Sequence, residues 1–181
     1  MSRCRDVFGT TILLTPIIDT AKGAVLAPTD PSVLSQRSRP LSVARSSPGP
    51  IAAVIVAAGR SERMGTGKPK PYLDIGGKPM LRHTVEHLLA HGGVAPIQVV
   101  IHPSHREDAA AALEGLPVLA PIPGGADRQR SVRIGLEALA AYAPQQVLIH
   151  DAARPFLPAR VVDDLVGVIA PGTGAIAALP I

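Results

Sequence analysis

Three short stretches carry residue types that could handle a phosphate chain. The first is Val54-Ile55-Val56-Ala57-Ala58-Gly59, followed by a polar loop with Arg63, Lys68 and Lys70. Its apolar run stops at a glycine, where no side chain keeps a ligand off the backbone. Backbone N–H groups can then cradle phosphate oxygens while placed cations neutralise them. Lys70 lies between Pro69 and Pro71, which stiffen its backbone. The alternative for Arg63 and Lys70 is a solvated surface side chain. The second stretch runs from Gly124-Gly125-Ala126-Asp127 to Ser131. Paired glycines let backbone groups approach a flat ligand such as a base; Ser131, one turn into a helix, can face the same cleft, and Asp127 is either a helix N-cap or a cleft group. The third is His150-Asp151-Ala152-Ala153-Arg154-Pro155. A carboxylate beside a phosphate site suits Mg²⁺, which takes one or two carboxylates plus phosphate oxygens. Ala152-Ala153 leave room, and Arg154 can fork onto a phosphate; the alternative is an Asp–Arg salt bridge that closes a loop.

Two common phosphate loops are excluded by spacing. A P-loop needs Gly, four residues, then Gly-Lys-Ser/Thr; Gly67-Lys68 has Glu62 at the first glycine position and Pro69 at the last. The dinucleotide fingerprint G-x-G-x-x-G fails because Arg60-Ser61 follow Gly59. His83, His87 and His91 recur every four residues; zinc can use two such histidines with a nearby acid and an open pocket, but this stripe leaves the helix at Gly92, so a solvated helix face is expected. Cys4 is the only cysteine, which excludes an internal disulfide and a cysteine metal cluster and suits a reducing cytoplasm.

The elements that must position these stretches alternate. Apolar runs predict strands at 51–57, 97–102, 117–120, 146–150 and 174–179, and helical patterns lie at about 79–91, 104–114, 127–142 and 158–169. Strands alternating with helices of this size predict an α/β fold: a Rossmann-like, three-layer, doubly wound, mostly parallel sheet, with the ligand beyond the carboxyl ends of the strands. Unbroken runs such as Val147-Leu148-Ile149 fit strands buried on both faces. Apolar residues make up 46% of the 181, enough for a core; aromatics are 2%, so that core must be aliphatic. No run approaches the roughly 20 apolar residues of a membrane span. The net charge of +4 sits mostly in residues 1–50, with six Lys/Arg against three Asp/Glu. The rest lacks a dense basic run, which argues against a nucleic-acid partner. Residues 1–50, rich in Ser, Pro and Arg around an apolar patch at Thr11–Ile18, are expected to be a disordered or targeting-like leader, organellar targeting included. Residues 51–181 are expected to hold the N-terminal part of one domain.

Taken in order, Ala57-Ala58-Gly59, Arg63-Met64, Pro69-Lys70-Pro71-Tyr72, Gly76-Gly77-Lys78-Pro79, Gly124-Gly125, Arg128-Gln129, Ser131-Val132 and His150-Asp151-Ala152-Ala153-Arg154-Pro155 resemble the 2-C-methyl-D-erythritol 4-phosphate cytidylyltransferases. These are nucleotidyltransferases of the nucleotide-diphospho-sugar transferase type, in non-mevalonate isoprenoid synthesis. The resemblance implies transfer of CMP from CTP to the 4-phosphate of methylerythritol, with pyrophosphate released and Mg²⁺ as cofactor. It implies that Arg63 and Lys70 stabilise the pentacoordinate α-phosphate. Val56, Ala57, Ala58 and Gly59 would line the triphosphate and ribose, and Gly125, Ala126 and Ser131 would read cytosine. Asp151 would hold Mg²⁺, with Ala152 beside the nucleotide and Arg154 near the substrate phosphate. A homodimer is the expected full-length form, in the cytoplasm. Cytidylyltransferases that use ribitol 5-phosphate share much of the pattern, and a non-catalytic nucleotide-binding fragment is the reading from another class. Pro71 replaces the family's usual Gln, and Arg130 stands where an acid is common. The family's next block, with residues that grip the acceptor, would begin where Ile181 ends, so weak CTP–Mg²⁺ binding and poor or no turnover are expected of this chain.

Overall fold

Seven consecutive residues with no charge among them, Ile51–Ala57, form the strand at the middle of the sheet, here β2. Six of the seven are buried, as expected of a strand covered on both faces. The computed structural model describes residues 13–15 (backbone only), 51–59, 68–170 and 172–178. The other strands are β1 (Leu13–Thr15), β3 (Asp74–Ile75), β4 (Lys78–Pro79), β5 (Val94–Ile101), β6 (Ile122–Pro123), β7 (Gln146–Asp151) and β8 (Ala175–Ile176). The α-helices are α1 (Met80–Ala90), α2 (Arg106–Leu113), α3 (Arg128–Leu139) and α4 (Ala159–Val168). The main sheet has the order β6-β5-β2-β7-β1-β8, and β3-β4 form a separate hairpin. β2, β5, β6 and β7 are mutually parallel, so the predicted α/β class and parallel sheet are present.

The chain leaves β2 for β5 and then β6 on one side. It returns through α3 to β7 on the other side. The strand order thus reverses at β2, and such switch points open a crevice at the carboxyl ends. Val56 and Asp151 are register partners at that end.

Side chains alternate across β2. Ile51, Ala53, Ile55 and Ala57 join the core under α1, α2 and α4; Ala52 and Val54 join a smaller core with Leu139 of α3. α3 comes close: a Cβ on Gly135 would lie 2.5 Å from Val54 Cγ1 and 3.0 Å from Val100 Cγ2. A glycine there lets the helix backbone settle onto the sheet.

One expectation changes. Residues 117–120 are not a strand. Pro117 has no N–H to give a ladder, and pairing comes later, at Val100↔Ile122 and Ile101↔Pro123. The segment is held instead by Leu119 N–H on Ile97 O (3.0 Å) and by the buried amide of Gln98, whose Nε2 donates to Ala120 O (2.9 Å). Leu13–Thr15, inside the apolar patch of residues 1–50, run antiparallel to β7 and to β8; the rest of the expected leader lies outside the described residues. Among the described residues no helix is long and apolar enough to cross a membrane.

Candidate active site

A cleft of about 1070 Å³ opens at the carboxyl ends of β2 and β7. β2 supplies Val56, Ala57, Ala58 and Gly59 to its wall. Opposite stands Lys70, on a single 3-10 turn over Lys70–Tyr72. Pro71 and Tyr72 bury themselves and Lys70 stays exposed, so the turn is anchored on one side and presents the cation on the other. Its backbone bonds are Tyr72 N–H to Pro69 O (2.9 Å) and Leu73 N–H to Lys70 O (3.2 Å).

The third wall is Gly124, Gly125 and Ala126, running into α3. Asp127 is the N-cap of that helix: its Oδ1 accepts the Arg130 N–H at 2.7 Å. One residue on, α3 begins, and Ser131 is almost fully buried beneath the loop. Its hydroxyl donates to Asp127 O (2.8 Å) and accepts the Gly125 N–H (3.1 Å). Ser131 lines the cleft and also fixes the shape of the glycine loop. Gly124 N–H donates to Ile101 O at 2.8 Å. A Cβ on Gly124 would lie 2.6 Å from Ala58 Cβ and 2.7 Å from Ser131 Oγ. Only glycine lets this loop come so near β2.

The floor is the tip of β7. Asp151 Oδ1 is met by Arg128 through Nη2 (3.0 Å) and Nε (3.3 Å), and Oδ2 by Arg154 Nε (3.2 Å). The loop-closing Asp–Arg pair therefore forms, and a second arginine from α3 joins it. Two buried groups brace this tip. Thr84 Oγ1 of α1 donates to Ala152 O at 2.8 Å, and Ala152 N–H donates to Val56 O at 3.0 Å. His150 Nε2 donates to Arg154 O at 2.8 Å. Burial holds His150 below the usual histidine range; the bond to Arg154 O and the Asp151 charge act the other way and are weaker. Its Nδ1, and Arg154 Nη1, are buried without a hydrogen-bond partner among the described residues.

Val56, Ala57, Ala58, Gly59, Lys70, Gly125, Ala126, Ser131, Asp151 and Arg154 thus meet in one cleft. Ala152 does not line it; it is buried just beneath, as part of the brace. Arg63 lies outside the described residues. Sequence reasoning gave no role to Arg128, Thr84 or Phe156. Phe156 is an exposed ring at the cleft edge, beside His83 (6.1 Å between centroids) and His87 (5.7 Å). The expected solvated histidine face is partly so: His87 is exposed, with Nδ1 3.0 Å from His83 O, while the half-buried His83 Nε2 bonds Ile75 O (2.7 Å) and His91 Nε2 meets Asp163 at 3.1 Å.

No group of three or more His, Cys, Asp and Glu among the described residues could by itself hold a metal ion. Asp151 offers a single carboxylate, already shared between two guanidinium groups. That suits a cation that draws most of its ligands from phosphate and water, as Mg²⁺ does, and not an all-protein cage.

The sequence model of the IspD family, 2-C-methyl-D-erythritol 4-phosphate cytidylyltransferase, matches residues 51–181. The bifunctional enzyme IspD/IspF of Rhodospirillum rubrum is 47% identical over 132 residues, covering 72% of this chain and 34% of that protein. The chain therefore spans about a third of the length of the curated relatives it matches. A crystal structure of a 4-diphosphocytidyl-2C-methyl-D-erythritol synthase superposes with a TM-score of 0.54 at 28% identity, over 66% of this chain and 54% of that one. The synthase from Anaerococcus prevotii gives 0.51 at 27%, over 65% and 49%.

Proposed function

Because the chain belongs to the 2-C-methyl-D-erythritol 4-phosphate cytidylyltransferase family, we propose that its cleft binds CTP with Mg²⁺ and transfers CMP to 2-C-methyl-D-erythritol 4-phosphate, releasing pyrophosphate. The observation that carries this reading is the meeting of Gly59, Lys70, Gly125, Ser131, Asp151 and Arg154, from three separated loops, in one cleft at the switch point. In this reading the acceptor's phosphate oxygen forms the new bond to the α-phosphorus as the bond to the departing pyrophosphate breaks. No side-chain nucleophile is required. Catalysis of this kind is mostly alignment and neutralisation of charge on oxygens.

Each wall then has a task. The end of β2 accepts the triphosphate and ribose along its backbone. The Gly124-Gly125 loop, held open by Ser131, receives the cytosine face. Lys70 and Arg63 neutralise charge on the α-phosphate, and Arg154 takes the acceptor's phosphate. Mg²⁺, held at Asp151, would offset charge on the phosphate oxygens. We place the enzyme in the cytoplasm as a homodimer.

Calorimetry with CTP and Mg²⁺, followed by pyrophosphate release with methylerythritol 4-phosphate and with ribitol 5-phosphate in parallel, tests the reading. Saturable but weak CTP binding, and slow release confined to the first acceptor, are expected. Lys70→Ala is expected to lower turnover by roughly 10²–10³-fold, the loss typical of one transition-state charge donor, with a smaller effect on CTP affinity. Absence of CTP binding sinks the reading. Binding without release from either acceptor selects a non-catalytic nucleotide-binding role, and release with ribitol 5-phosphate alone changes the acceptor.

A further inference from the structure

Arg128 sits at the first position of α3, 23 residues before Asp151, yet it closes on that carboxylate from across the cleft. Both of its bonds converge on Oδ1, while Oδ2 is left to Arg154. The two arginines are not equivalent. Arg154 belongs to the same loop as Asp151, and its carbonyl is tied down by His150. Arg128 comes from another element, and its side chain is 53% exposed. An exposed pair of this kind is weak and is readily exchanged for another partner. Only two of the five guanidinium N–H donors are engaged on Asp151. Such a group can move from one carboxylate oxygen to a phosphate oxygen and keep both bonds, because either anionic oxygen can accept two N–H groups.

We propose that Arg128 is a stand-in cation: it neutralises Asp151 while the cleft holds no nucleotide, and gives up Oδ1 when a nucleoside triphosphate arrives with its divalent metal. This rests on the reading of the cleft as a CTP–Mg²⁺ site. Arg128 is a positioning residue here. While it grips Asp151 it joins the start of α3 to the tip of β7. It also repels a divalent ion that comes alone, so metal enters only when phosphate oxygens draw the guanidinium away. The occupied cleft keeps Arg128 at its wall, beside the phosphates.

The test is Mn²⁺ binding, read by electron paramagnetic resonance of the free ion, to the wild-type chain, Arg128→Gln and Arg128→Lys, with and without CTP. Arg128→Gln is expected to bind Mn²⁺ alone roughly two- to fivefold more tightly than wild type, the worth of one exposed charge pair, and to bind CTP–Mn²⁺ more weakly. Arg128→Lys, which keeps the charge but not the two-donor grip, falls between. Adding Asp151→Asn to Arg128→Gln abolishes the gain. A merely structural tie predicts no tighter metal binding, so unchanged or weaker Mn²⁺ affinity in an Arg128→Gln variant that melts as wild type does overturns the proposal. So does a gain that survives Asp151→Asn. Should Arg128→Gln not fold, Arg128→Lys decides: Mn²⁺ affinity no higher than wild type overturns the proposal. Loss of CTP binding in the wild type instead defeats the nucleotide reading, and the Mn²⁺-alone measurements still decide whether Arg128 competes for Asp151.

Discussion

Tyr72 buries a phenol whose hydroxyl has no hydrogen-bond partner among the described residues. Its ring packs edge-on against His105 at 5.6 Å and anchors the turn that displays Lys70. Burial, with a smaller push from the Asp108 charge, raises its pKa from 10.0 to about 12. The native chain therefore keeps this proton in a window where the unfolded chain has lost it. Stability from this group is whole below pH 10 and is lost as pH climbs from about 10 to about 12, by about 2–3 kcal/mol if the full shift is realised. Tyr72→Phe removes both the titration and an unsatisfied buried hydroxyl. It is expected to be neutral or stabilising at pH 7, and urea titrations at several pH values should show a shallower alkaline decline than wild type. An equally steep decline in the variant would show that another group carries the loss. Thr84 and Ser131 illustrate the opposite use of a buried hydroxyl, since each spends its bonds on backbone atoms that shape the cleft.

At the scale of the element, Gly135 decides how deep α3 can sit. An alanine there would be a better helix former by about 1 kcal/mol, but its Cβ would meet Val54 at 2.5 Å. Overpacking of a formed core costs ~1–3 kcal/mol, so a net loss of up to about 2 kcal/mol is expected for Gly135→Ala once the helix gain is subtracted, read as a lower urea midpoint; a variant more stable than wild type would mean that the helix lifts freely. α3 itself was legible in the sequence, as were β2, β5, β7 and the other three helices, because buried strands are apolar runs and helices carry a 3.6-residue apolar stripe. The cleft walls were legible too, since glycines and cations at strand ends have few other uses. Less legible were the polar braces. Gln98 interrupts an apolar run and Thr84 an apolar stripe, and nothing nearby in sequence says that the first holds Ala120 O or the second Ala152 O. The false strand at 117–120 has the same origin: an apolar segment beside the sheet looks like a strand until its single backbone bond to Ile97 is counted. Arg128 is a further instance, because its partner lies 23 residues away.

The two faces of the sheet are unequally built, and the unequal one carries the site. α1 buries Leu81, Thr84, Val85 and Leu88, and shares its face with α2 and α4. α3 covers the other face and buries Ser131, Gly135 and Leu139, of which only the last is large. Burying a side chain such as Leu is worth about 1.5–3 kcal/mol, so α3 is held by less apolar surface than α1. It is also tied to β7 by the exposed Arg128–Asp151 pair, which adds little. Local opening draws on the regions with fewest buried apolar contacts. The amides of α3 and of the loop before it are therefore expected to exchange with deuterium faster than those of α1, β2 and β5. A ligand that bridges β2, the glycine loop and β7 binds only the closed arrangement, so CTP with Mg²⁺ should slow exchange in α3 far more than in α1. Hydrogen exchange followed by mass spectrometry, with and without the nucleotide, reads both effects in one experiment. If α1 opened first, or if the nucleotide protected both faces alike, the single-helix face would not be the one that gives way around the site.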